Sequence, residues 1–181
     1  MIVLDGQSAL SAFRLDRLNR QLAESAPGIR VLSTRHVYLL AAAQAPDEAT
    51  RKRLAEVLEA RGDAARPASL WVVPRLGTIS PWSSKATDIL KDCGFAIDRV
   101  ERAVAFELSS LPAAGSAAWN GLLAVLHDPM IQSVLTSLAD AQQLFLAGSP
   151  GPLGRIALGS DPAAALAAAN GRLGLALAPD E

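Results

Sequence analysis

Cysteine is almost absent. The single Cys93 excludes an internal disulfide framework and a cysteine-rich zinc site, and it fits a reducing compartment. An excess of either charge is also missing: 17 Lys and Arg face 18 Asp and Glu, which gives no electrostatic reason to expect a nucleic acid or a membrane surface as partner. The opening stretch MIVLDGQSAL has no basic segment followed by an apolar run, so it does not read as a secretory signal. The longest weakly polar stretch, Pro162 to Ala178, is mostly alanine and carries Asn170 and Arg172. It is shorter than the roughly 20 apolar residues needed to span a bilayer. These absences place the protein in the cytoplasm, as an expectation. What is present is apolar content: 50% of the residues are hydrophobic and only 19% charged, so the chain must fold and bury a core. Its 181 residues fit one compact unit with an appendage.

From Ser8 to about Ser25, Leu10, Phe13, Leu18 and Leu22 recur at helical spacing with charged residues between them, and Pro27 and Gly28 stop the helix. Ile29 to Ala42 is rich in β-branched and aromatic residues and predicts a long strand with an interruption near Ser33 and Thr34. Asp47 caps a second helix, with Leu54, Val57 and Leu58 inward and Gly62 as its stop. Leu70 to Pro74 is a short apolar strand. The order then repeats: helix from about Ser83 to Asp92, strand from Ile97 to Leu108, helix from Ser116 to His127, strand from Met130 to Leu138. The halves are offset by about 70 residues, within the boundary error of such a reading. The expected fold is therefore α+β, with two layers built from duplicated helix-strand-helix-strand halves and a mostly antiparallel sheet. A short helix at Asp140 to Leu146 precedes AGSPGPLG, a boundary that separates a domain over 1–147 from a segment over 148–181. In that segment Asp161 and Pro162 open a helix through Leu175, weakened by Gly171 and Gly174. The closing APDE resembles the start of a further helix, so the sequence is expected to continue past Glu181.

The most unusual segment is PRLGTISPWSSKATDI, Pro74 to Ile89. Ser83 or Ser84 can cap the following helix, whereas Lys85 in a first turn opposes the macrodipole by about 0.3 to 1 kcal/mol. The loop can serve as a strand-to-helix turn, an anion site at a helix N-terminus, or a rigid contact surface for another domain. It is not a P-loop, because the glycine pair and the Gly-Lys-Ser/Thr ending are absent.

Gly77 to Ile89 resembles a signature run in the N-terminal domains of the large, single-chain phosphoribosylformylglycinamidine synthases. Similarities in the same order flank it: ALSAFR from Ala9, CGF from Cys93, RVERAVAF from Arg99, LHDPM from Leu126, DAQQLF from Asp140 and NGRLGLALAPDE from Asn170. Leu76 and Ala103 depart from familiar residues at positions that concern packing. The resemblance implies a parent that amidates formylglycinamide ribonucleotide with ATP, magnesium and ammonia released from glutamine. Its synthetase and glutaminase sites would lie beyond Glu181, leaving this chain without catalytic residues, metal or cofactor. It also implies a domain like two fused copies of the small subunit of split enzymes, followed by the start of a helical linker domain. The synthetase, linker and glutaminase regions of the same parent chain are then the expected partners. Arg75, Thr78, Ser80, Trp82, Ser83, Ser84, Lys85 and Asp88 form the expected inter-domain docking loop. An autonomous anion-binding or regulatory module using Arg75 to Lys85 is the alternative.

Other candidates have plainer readings. Cys93 reads as a buried small hydrophobe, outside any nucleophile elbow. His127 with Asp128 reads as a helix end, and His36 as structural. Arg99, Glu101 and Arg102 read as a solvated face of the strand whose Val104, Phe106 and Leu108 point inward, with Arg99 and Arg102 kept as candidate inter-domain charges. Trp71 and Trp119 read as core aromatics.

Overall fold

The computed structural model describes residues 1–61, 67–146 and 151–178. The chain divides into two compact units, Met1–Ala147 and Gly148–Glu181.

Among the described residues five strands build the first unit: β1 (Ile2–Asp5), β2 (Val31–Ala41), β3 (Leu70–Pro74), β4 (Arg99–Leu108) and β5 (Gln132–Leu135). They form one sheet in the order β1-β2-β4-β3-β5, every neighbouring pair antiparallel. Helices α1 (Ala12–Ser25), α2 (Glu48–Val57), α3 (Pro81–Asp92) and α4 (Ala117–Leu126) alternate with the strands, and a 3-10 helix (Leu138–Phe145) follows β5. The architecture is α+β, as the sequence predicts.

The repeat is also present, but it begins one strand earlier than the sequence suggests. Ile2 and Leu70, Ala12 and Pro81, Val31 and Arg99, and Glu48 and Ala117 open corresponding elements at a near-constant offset. Each repeat is strand-helix-strand-helix, and β5 is an addition at the sheet edge. The first strand escapes sequence reading because IVLD is too short to display a period. β2 and β4 pair across the middle, with His36 opposite Val104, so the two repeats face each other about that point. An irregularity between Val31 and Ser33 matches the expected interruption of the long strand.

Strand side chains alternate between faces, which divides the core. Val37, Leu39, Trp71, Val73, Ala103, Ala105 and Leu135 share one face, covered by Ala141 and Leu144 of the 3-10 helix. On the opposite face α1 and α4 cover Leu70, Val72, Phe106 and Leu108 through Leu22, Leu122 and Leu126. There too, Leu54 of α2 and Leu90 of α3 cover Leu4, Leu40 and Val100. β4 is thus packed on both faces, with Glu101 buried and Arg99 half-buried, and of the three residues expected on its solvated face only Arg102 is exposed. Asp5 and Arg35 form a buried ion pair at 3.0 Å.

The expected cap holds for Asp47, which accepts from the Thr50 amide at 2.7 Å, and the helix expected from Ser116 begins one residue later, with Ser116 as its cap accepting from Trp119 at 3.1 Å. Others shift. α1 starts after its cap Ser11, because the Leu10 amide bonds to the Thr34 hydroxyl, and Phe13 is exposed. Val57, expected inside, is also exposed, and α2 ends there; Gly62, its expected stop, lies outside the described residues. Trp71 is buried as expected, and Trp119 packs at the edge of the α1–α4 core.

In the second unit Asp161 caps α5 (Pro162–Leu173) by accepting from Ala164 at 3.1 Å. Gly174, left-handed at φ 63°, ends this helix before the expected Leu175. The Asn170 side chain then pairs with both backbone groups of Leu177, turning the chain back. No described helix is long and apolar enough to cross a membrane.

The approach of α4 to α1 has a specific cause. A Cβ on Gly121 of α4 would lie 1.9 Å from the Ser25 carbonyl oxygen of α1, so only glycine permits this approach. Gly121→Ala should therefore destabilise the domain by about 1 to 3 kcal/mol in urea denaturation, despite alanine's higher helix propensity.

Candidate functional site

The Arg75–Asp88 segment leaves β3, crosses a turn and enters α3. Thr78 closes the turn by donating through its hydroxyl to the Arg75 carbonyl at 2.7 Å. The Arg75 amide donates to Ile131 at 2.9 Å, its guanidinium to Met130 at 3.3 Å, and the Leu76 amide donates to the Ser133 hydroxyl. Both ends of the turn are therefore held, one of them to the strand edge beside β5.

Helix α3 begins at Pro81, earlier than expected. Its cap is Ser80, whose Oγ accepts from the Ser83 amide at 3.0 Å, and not Ser83 or Ser84. Proline at the first helical position fixes this start, since its missing N–H has no helical partner to lose. Lys85 consequently lies beyond the first turn, and the dipole conflict expected from it is much reduced. Ser83 is fully buried and donates through Oγ to the Val100 carbonyl at 2.7 Å. Thr87 accepts from the Val100 amide at 3.1 Å, which sews α3 along β4.

At the centre is a charge pair. Arg99 and Glu101 lie two residues apart on one strand face, and the Glu101 side chain is fully buried. The Arg99 guanidinium donates from Nε to Glu101 Oε1 at 3.0 Å, from Nη1 to the Leu144 carbonyl at 2.8 Å, and from Nη2 to the Thr78 carbonyl at 2.8 Å and to Glu101. It also lies over the Phe145 ring, 5.5 Å from the centroid. Glu101 in turn accepts from the Ser80 hydroxyl at 2.9 Å and from the Ser80 amide. One ion pair thereby joins β4, the turn, the start of α3 and the 3-10 helix.

On the other face of β4, Trp82 stacks with Tyr38 at 6.0 Å between centroids, and the exposed Arg102 lies 4.8 Å over the Trp82 ring. Trp82 and Arg102 border a cleft of about 650 Å3 whose lining includes His36, Val72, Val104, Ile79 and Ile131. Burial, and then the positive charge of Arg102, hold the His36 pKa below its ordinary 6.5.

The residues named from sequence thus separate. Ser80, Ser83 and Arg99 point into the clamp, to which the exposed Thr78 gives only its backbone carbonyl, and Thr78 and Ser80 also line the cleft. Arg75, Trp82 and Arg102 border the cleft, and Ser84, Lys85 and Asp88 stand exposed on α3. Glu101 and His36 belong to the site although the sequence pattern does not mark them as site residues. An arginine and a glutamate two apart on a strand share a face, which is the sequence signal for Glu101; its partner Arg99 is held by Leu144 and Phe145, far along the chain. Cys93 is exposed at the α3 C-cap and not buried, because Phe95 takes the core position after the turn. His127 ends α4, as expected, with its ring Nδ1 2.8 Å from the Leu123 carbonyl. Among the described residues no group of three or more His, Cys, Asp or Glu could hold a metal ion.

Fold and site define a duplicated two-layer α+β domain whose strand-to-helix loop is clamped onto its central strand. A family model described as formylglycinamide ribonucleotide amidotransferase N-terminal matches residues 35–145, from within β2 to the end of the 3-10 helix, and includes every residue of the clamp. The chain belongs to this family, and its parent is a formylglycinamide ribonucleotide amidotransferase, an enzyme of purine biosynthesis.

Two predictions test the energetics. Removing one partner of a buried pair leaves the other uncompensated, so Arg99→Ala should cost about 3 kcal/mol or more in urea denaturation, whereas Arg102→Ala should cost less than about 0.5 kcal/mol. The depressed His36 pKa means that the unfolded chain binds a proton there before the folded chain does. The contribution is present above pH 6.5 and lost as pH falls from there through the folded-state pKa. Unfolding midpoints at pH 7.5 and 5.5 should accordingly fall further for the wild type than for His36→Gln.

Proposed function

We propose that the domain is a scaffold that docks the synthetase, linker and glutaminase regions of its parent and supports ammonia transfer between the last and the first. The observation that carries this reading is the Arg99–Glu101 clamp. It binds the inward hydroxyls and carbonyls of the loop to the fold, which leaves Arg75, Trp82, Ser84, Lys85 and Asp88 on a pre-set outer surface. A surface fixed before association loses little conformational freedom on docking. In this reading Thr78, Ser80 and Ser83 shape the loop, Trp82 is a packing anchor, and Arg75 and Lys85 supply charge to partner regions. Arg102 remains available as an inter-domain charge, while Arg99 acts inside the domain. The parent carries out an ATP- and magnesium-dependent amidation in the cytoplasm, with its catalytic residues elsewhere in the chain. The 1–147 unit is the docking domain, and the 148–181 segment opens the linker.

An autonomous anion site at the start of α3 has less support. The Glu101 carboxylate faces Ser80 there, and Ser80 itself satisfies the Ser83 amide. An incoming anion would meet a fixed negative charge.

The test uses the full-length enzyme. Lys85→Ala removes an exposed side chain with little risk to the fold, and should lower glutamine-driven turnover roughly tenfold, the size expected for losing an interface contact of about 1 to 2 kcal/mol. Turnover with added ammonia should be nearly unchanged. Equal loss with both nitrogen sources, or no loss with either, would refute the coupling role.

A further inference from the structure

The middle of the helix-bearing sheet face is only partly covered. Two-layer domains cover a sheet by laying helices across it. Here the paired Thr34 and Phe106 at one end, and Leu40 and Val100 at the other, are buried, while His36, Tyr38, Arg102 and Val104 between them are not. The gap lies where the two repeats meet, because each helix pair is drawn to its own end of the sheet. It is the cleft beside Trp82.

Its chemistry is one-sided. Val72 and Val104 lie on the sheet beneath, and Ile79, Met130 and Ile131 on the rim are 62%, 74% and 65% exposed, an apolar cost with no partner on this chain among the described residues. Two guanidiniums, Arg75 and Arg102, belong to the lining, and none of the described lining residues is acidic. Arg102 forms no ion pair with a described residue, and its position over the Trp82 ring holds it at the cleft. The volume of about 650 Å3 falls within the range of small-molecule sites, roughly 300 to 1,000 Å3.

We infer that this cleft binds a small free carboxylate with a flat apolar body, the body over Val72 and Val104 between Ile79 and Ile131, and the carboxylate on Arg102. The site shares Trp82 and Arg75 with the proposed docking surface but does not depend on that role. Positive charge with no acid among the described lining residues, on the sheet face opposite Glu101, favours an anion at Arg102, and the apolar floor selects a body over a bare ion. Arg102 offers a planar pair of N–H donors suited to a carboxylate.

The probes are indole-3-acetate, tryptamine and 3-methylindole, which share one ring and differ in charge. In an amide and side-chain NH titration of the 181-residue chain, indole-3-acetate should give saturable shifts at the Trp82 indole N–H and the Arg102 Nε. Tryptamine and 3-methylindole should bind at least about tenfold more weakly. Arg102→Gln, an exposed change that should leave the spectrum otherwise intact, should weaken indole-3-acetate by about tenfold and leave 3-methylindole unchanged. No saturable shift, shifts elsewhere, or equal affinity for all three probes would overturn the inference. Repeating the titration on the full-length enzyme separates a free ligand from a side chain of the parent. Binding retained there supports the free carboxylate, and binding lost there refutes it in favour of an occupant from the parent chain. A null titration together with a glutamine-selective Lys85→Ala defect would remove the cleft site and leave the docking role standing.

Discussion

The pairing of β2 with β4 is the constraint on which the rest of this domain depends. Both strands are long, both lie inside the sheet, and their amides and carbonyls can be satisfied only by each other or by the next strand outward. That pairing sets His36 opposite Val104 and brings two strand-helix-strand-helix repeats together in opposite directions. It also decides where helices can lie. α1 joins α4 at one end of the sheet and α2 joins α3 at the other, with the Gly121–Ser25 approach closing the first pair.

The clamp and the cleft are two consequences of the same strand. Alternation along β4 sends Arg99 and Glu101 to the face under the 3-10 helix, and Arg102 and Val104 to the face between the helix pairs. Under the 3-10 helix the Glu101 side chain is fully buried, and a charge pair is tolerated only because nearly every hydrogen-bonding group finds a partner in Ser80, Thr78 or Leu144. Between the helix pairs the face stays open. Arg102 remains a solvated cation, and the His36 ring, half-enclosed beside it, resists protonation.

Much of this was legible residue by residue. Caps at Asp47 and Asp161 and the strand-helix alternation are local properties, readable because a carboxylate before a helical stretch has one economical conformation. The family-like run Gly77–Ile89 lies within the region that the family match covers. The errors share a different cause. β1 has too few residues to show a period, Phe13 has helical spacing but turns away from the core, and Ser80 competes with Ser83 and Ser84 for a role all three can fill locally. Proline at position 81 was the signal that favoured Ser80.

Composition and pattern alone determined an α+β chain with a core, a duplicated order of elements and a polar loop entering a helix. These follow from short-range preferences, which act between residues a few positions apart. Tertiary structure decided which loop groups face inward, that Glu101 is buried, and that the sheet centre is open. Each of those depends on segments distant in sequence: Leu144 over β4, β1 beside β2, and two helix pairs parted across one face. Burial is a property of the assembled layers, and so is the ionic environment of every charge they enclose.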